Sequence, residues 1–139
     1  MTAGLRATIA LLTLGAAALL VAAYFRVASD SGTVVTSAGP RWDSAQVDGE
    51  RTLVIGFVGG REAKKPEPCK PTYSALVSES PKEVVVTLRT HTLQKRAAVG
   101  CDDIGVRRSL DVTLASPLGG RTLRDGRTGE THAVGAGGG

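Results

Sequence analysis

Glu83-Val84-Val85-Val86-Thr87-Leu88-Arg89-Thr90-His91-Thr92 decides how the rest of this chain is read. The run is rich in β-branched residues, and Val84, Val86 and Leu88 alternate with Thr87, Arg89 and His91 in the period of two that marks a half-buried strand. We take it as the central strand. The only two cysteines, Cys69 and Cys101, bracket it. Bonded to each other, they would close a loop of roughly 32 residues, worth about 3.7 kcal/mol on the chain-entropy account of disulfides.

Working outward, residues 72–79 alternate too, with Tyr73, Ala75 and Val77 inward, and Ser80-Pro81-Lys82 turns them back into the central strand as a hairpin. Residues 52–58 put Leu53, Ile55 and Phe57 on one side and stop at Gly59-Gly60. Residues 61–71 are charged and hold Pro66, Pro68 and Pro71, hence an exposed loop that delivers Cys69. Residues 93–99 read as a loop leading to Cys101. Strand character returns over residues 104–114, with Leu110, Val112 and Leu114 on one face. Residues 121–124 form a short strand before the turn signal Asp125-Gly126, and 131–134 can pair as a last edge strand. Residues 135–139 read as a mobile glycine-rich tail. The expected fold is all-β, a small antiparallel β-sandwich or half-open barrel of five to six strands over residues 50–134.

The amino terminus has a different character. Residues 1–6 are short and positive, and residues 7–25 carry no charge. As a helix this run would be about 28 Å long, enough to cross a bilayer. A cleavable signal peptide is the rival, since Val27-Ala28-Ser29 and Val21-Ala22-Ala23 both offer small-x-small cleavage sites. The length favours a retained transmembrane helix within residues 1–28. Arg6 places its start inside, so the remainder faces out. Cleavage would instead make the protein secreted. Residues 29–49, rich in Ser, Gly, Thr and Ala, read as a flexible linker, with Trp42 as an exception that caps the edge of the core.

Roughly 85 residues remain to fold, a size that buries only about 60 to 65% of the unfolded chain's surface, so a staple is expected. Behind an export segment, two cysteines without a Cys-x-x-Cys or His-x-x-x-His companion fit a disulfide better than a metal site or two buried thiols. The chain has 17 Lys and Arg, and setting aside Arg6 and Arg26 leaves 15 positive against 13 negative residues. That balance carries no electrostatic footprint for nucleic acid, and an aromatic fraction of 4% leaves few stacking platforms for single strands or sugars.

No catalytic, cofactor or metal motif stands out. A nucleophile needs a base beside it, and the folded region offers only His91 and His132, read as an outward strand residue and a frayed-end residue, with no Gly-x-Ser-x-Gly elbow or Ser-x-x-Lys. Asp102-Asp103 lacks the spacing of a calcium loop and reads as a solvated turn. Lys64-Lys65, Lys95-Arg96 and Arg107-Arg108 read as solubilising pairs or protection of strand edges. Glycines 119, 120, 126 and 129 lack the Lys-Ser/Thr pair of a phosphate loop and read as turns.

The order of a cysteine before Tyr73-x-Ala75-x-Val77-x-Glu79, a Val-rich strand, a second cysteine, Leu110-x-Val112-x-Leu114 and Pro117-Leu118-Gly119-Gly120-Arg121-x-Leu123-x-Asp125-Gly126 resembles small exported actinobacterial proteins of unknown function. The resemblance spans residues 53–129 and implies location and fold but no site. An immunoglobulin domain fits less well, because its tryptophan lies between the cysteines whereas Trp42 precedes both. The expectation is a non-catalytic envelope module, held in the membrane through residues 7–25 and presenting a β-domain to a protein partner. The alternative is a small secreted hydrolase using His91 with Asp102, Asp103 or Asp111.

Overall fold

The computed structural model describes residues 32–94, 100–101 and 104–136. The expected membrane segment and most of the expected tail lie outside them. In chain order the strands are β1 (Thr33–Ala38), β2 (Trp42–Asp48), β3 (Thr52–Gly59), β4 (Thr72–Glu79), β5 (Glu83–Gln94), β6 (Val106–Thr113), β7 (Thr122–Asp125), β8 (Thr131–His132) and β9 (Gly135–Ala136). Five of them, β1, β4, β5, β7 and β8, make one sheet, and the other runs β6-β3-β2-β9. Among the described residues there is no helix.

The expected central strand organises the first sheet. β4 pairs antiparallel along one edge of β5, from Thr72 opposite His91 to Glu79 opposite Val84. The other edge is divided, because β5 is 12 residues long and each partner there is short. β7 takes residues 83–86, with Leu123 opposite Val84. β1 takes the far half, where the Gly39 N–H donates to the Leu88 carbonyl at 2.9 Å. In the second sheet β3 is central, between β2 and β6.

The inward faces follow the alternation read in the sequence. Leu53, Ile55 and Phe57 of β3, Val84, Val86 and Leu88 of β5, and Val112 and Leu114 in and after β6 are buried together. Tyr73, Ala75, Val77 and Leu110 pack against them half-buried. Trp42, Ala45, Leu118 and Leu123 complete this core. Fully burying one side chain of this size is worth roughly 1.5 to 3 kcal/mol, so the shared inward face is the main source of stability.

Four expectations are corrected. Among the described residues the strands number nine rather than five or six. The sheets are not purely antiparallel, for β5 pairs with β7 and β2 with β9 in parallel. β7 is parallel because the chain crosses from β6 at the end where β5 starts, the Thr122 N–H donating to the Lys82 carbonyl at 3.0 Å. The stretch at 29–49 is not simply a linker, since it holds β1 and β2, and Trp42 is a fully buried core residue rather than an edge cap. Finally, Gly135 and Ala136 of the expected tail pair with Gln46 and Val47.

A corner joins the two sheets between β1 and β2. A Cβ on Gly39 would lie 2.5 Å from the Leu88 carbonyl carbon, so only glycine lets the chain turn this close to β5. The Arg127 guanidinium donates to the Gly39 carbonyl. Buried Asp125 accepts the Trp42 N–H at 3.2 Å and the Arg127 N–H at 2.7 Å, which closes the corner without leaving its carboxylate unpaired.

Candidate functional site

At one end of the two sheets, the expected bond joins the connection between β3 and β4 to the connection between β5 and β6. Cys69 and Cys101 form a disulfide with Cα atoms 5.2 Å apart. Pro68 precedes Cys69, whose φ is 63°, and Glu67 and Lys70 exchange both backbone hydrogen bonds around them. Proline followed by a left-handed residue is the pattern of a type II turn, here with cysteine where glycine is usual. Beside the bond lies an open cleft of about 340 Å³, lined by the disulfide, Gly59, Pro71, Val58 and Ile104. The Tyr73 ring meets Phe57 edge-on and its hydroxyl accepts the Gly60 N–H at 2.7 Å, fixing the β3 end of the cleft.

The opposite end is tied by charge. Arg121 meets the Glu79 carboxylate at 2.8 Å and donates to the carbonyls of Ser116, Pro117 and Leu118, so one guanidinium folds the crossing between the sheets. The other Glu79 oxygen accepts the Ala115 N–H at 2.6 Å. That backbone donor, with Arg121, holds the Glu79 carboxyl below its usual range. β4 and β6 are thus the neighbouring edges of two sheets, joined by Glu79 at one end and by the disulfide at the other.

His91 has a setting the sequence did not disclose. Its Nε2 lies 2.7 Å from the Ser74 hydroxyl and its Nδ1 lies 2.9 Å from the Thr36 hydroxyl. The imidazole therefore links three strands, β4, β5 and β1. An outward strand position was expected, and His91 holds one, half-buried by these neighbours. A serine hydroxyl within hydrogen-bond reach of a histidine is the first requirement of an activated nucleophile. The second, a carboxylate behind the ring, is replaced here by the Thr36 hydroxyl, which orients the ring but does not stabilise an imidazolium. Asp111 is exposed on β6 in the other sheet, beyond the core that separates the two outer faces. Asp102 and Asp103 lie outside the described residues. A Ser-to-His diagonal across adjacent strands is the signal that would have found Ser74 once the β4–β5 register was set, whereas Thr36 needed β1, which the sequence did not reveal.

The remaining candidates have structural settings. His132 stacks on Trp42 with ring centroids 4.1 Å apart, so it is a half-buried companion of the core rather than a frayed-end residue. Arg107 pairs with Asp43 at 2.6 Å, and its hydrogen bond holds that carboxyl below its usual range. Arg108 reaches Glu62 at 3.6 Å and the Gly60 carbonyl at 3.1 Å. Both arginines stand on β6, an edge strand. Among the described residues no group of three or more His, Cys, Asp and Glu side chains converges as a metal site. No protein-family model, no curated protein and no solved structure matches this chain.

Proposed function

We propose that this chain is a membrane-anchored, extracytoplasmic β-domain that acts by binding a protein of the cell envelope rather than by catalysis. The observation that carries the reading is the Cys69–Cys101 bond, because a structural disulfide in a small domain belongs to an oxidising compartment. It stands behind an apolar run at residues 7–25 of the length needed to cross a bilayer. Half-exposed Leu76, on the outer face of β4, offers apolar contact area of the kind that partners cover. Fractionation tests the placement. The chain is expected to stay with membranes after alkaline washing and to lose its carboxyl-terminal domain to external protease. A soluble mature protein beginning at Tyr24 or Asp30 overturns the anchor.

One observation favours a secreted hydrolase as the second reading, the 2.7 Å contact between Ser74 and His91. Turnover of a small activated ester, abolished alike by Ser74→Ala and His91→Ala, would establish it. Equal background rates in all three proteins would remove it.

A further inference from the structure

We propose that the disulfide end of the domain docks on an anionic lipid surface, a proposal that rests on the anchored reading above and gives the domain a fixed face toward its own bilayer. The apolar part of this surface is Val58 and Ile104, 52% and 50% exposed in the cleft beside Cys69 and Cys101. Val34 and Val35 are exposed near the start of β1. That start belongs to the same end. Thr36 meets His91 and Gly39 meets Leu88, so β1 runs antiparallel to β5 and begins beside its last residues, where the chain leaves toward Cys101. Apolar side chains standing free at a basic surface are what an interfacial contact with lipid takes up.

The charge fits the same occupant. In the β3–β4 loop, Arg61, Lys64 and Lys65 are exposed and make no salt bridge or side-chain hydrogen bond among the described residues. The two acids of that loop are engaged elsewhere, Glu62 by Arg108 at 3.6 Å and Glu67 by Lys70 at 3.3 Å. Three positive charges are left uncompensated. Lys95, Arg96, Asp102 and Asp103, which lie outside the described residues, cancel in formal charge. Near an anionic leaflet each cation strengthens docking on the order of fivefold, and three together about a hundredfold.

Chain length supplies the third argument. With β1 starting at Thr33, only seven residues separate it from Phe25, the end of the apolar run. Seven residues reach at most about 25 Å. An anchored chain therefore holds the start of β1 close to the bilayer, and the patch at that end meets headgroups at high effective concentration.

The test uses the full chain in nanodiscs of phosphatidylcholine alone or mixed with phosphatidylglycerol, with amine-reactive labelling read by mass spectrometry. Lys82, in the turn at the opposite end, is the internal control. The expected result is several-fold slower labelling of Lys64 and Lys65 in the anionic discs, with Lys82 unchanged. Arg61→Glu combined with Val58→Ser and Ile104→Ser should restore the rate, since all three side chains are exposed and none belongs to the buried core. Equal labelling in both discs overturns the docking while the anchor stands. Loss of the chain from phosphatidylcholine discs, with Lys64 and Lys65 still protected on anionic ones, overturns the anchor while the docking stands. Protection by soluble polyglutamate but not by anionic discs would assign the patch to an acidic protein and overturn the proposal.

Discussion

Trp42 donates its indole N–H to the main-chain carbonyl of Val86 at 3.0 Å, joining the first residue of β2 in one sheet to the middle of β5 in the other. The same carbonyl accepts the Gly126 N–H at 3.0 Å, so it sits where the two sheets and the end of β7 meet. Trp42→Phe keeps a ring in the core and leaves that acceptor with one donor. The cost should be about 1 to 3 kcal/mol, from the lost hydrogen bond and the space left by the smaller ring. Trp42→Ala should cost about 3 to 5 kcal/mol. Urea unfolding midpoints of the full chain in detergent would measure both, and a loss under about 0.5 kcal/mol for Trp42→Ala, the level of an exposed site, would refute the core position.

The two faces of β5 give the second prediction. Leu88 is buried and Arg89, its neighbour, is exposed. Leu88→Ala should cost about 2 to 5 kcal/mol, through lost transfer energy and an unfilled cavity. Arg89→Ala should stay within about 0.5 kcal/mol. Since a slip of one residue would exchange the faces, the contrast reports the register directly. Comparable losses at the two positions in urea melts would count against it.

Which elements were legible follows from the same physics. β3, β4 and β5 alternate cleanly because each has one face on the core, and a period of two reads straight from the residues. β2 does not, because its pairing with β3 shifts between Trp42 and Ser44. That bulge inserts Asp43, so Trp42 and Ala45 both point inward although they are three residues apart. β1 is exposed along its whole length and offers no alternation at all. The parallel placement of β7 depends on where the chain crosses between sheets, a tertiary fact with no local signature. The disulfide was legible from cysteine count and position. The partners of His91 were not, because they come from strands 17 and 55 residues away.

Acid should loosen the end that Glu79 ties. Its carboxyl titrates below the ordinary value of 4.5, chiefly through the Ala115 N–H and then Arg121. A folded-state pKa below the unfolded one stabilises the fold above the unfolded value, and that contribution disappears as pH falls through the folded one. Unfolding midpoints should therefore drop below about pH 4.5 in the parent protein. Glu79→Gln should show a lower midpoint at neutral pH and a shallower acid decline, the two proteins converging at low pH. Parallel profiles would mean that Glu79 titrates alike in the folded and unfolded chain.

The disulfide lies at the other end of the β4–β6 boundary, and its removal separates two ways of stabilising a fold. Cys69→Ser with Cys101→Ser should cost about 2 to 5 kcal/mol, close to the chain-entropy figure for a closed loop of this length. That figure acts on the unfolded chain, so amides in β3 and β5 should keep their relative order of hydrogen-exchange protection and fall together. If the bond instead holds the native loops in place, exchange should rise first at Tyr73, beside the cleft, and the amine reactivity of Lys64 and Lys65 should rise with it. Alkylation before and after reduction of the parent protein establishes the starting state, with both thiols reactive only after reduction. Labelling of both thiols in the unreduced folded protein would show that the bond does not form, and a loss of stability far below about 2 kcal/mol would show that it forms without restraining the chain.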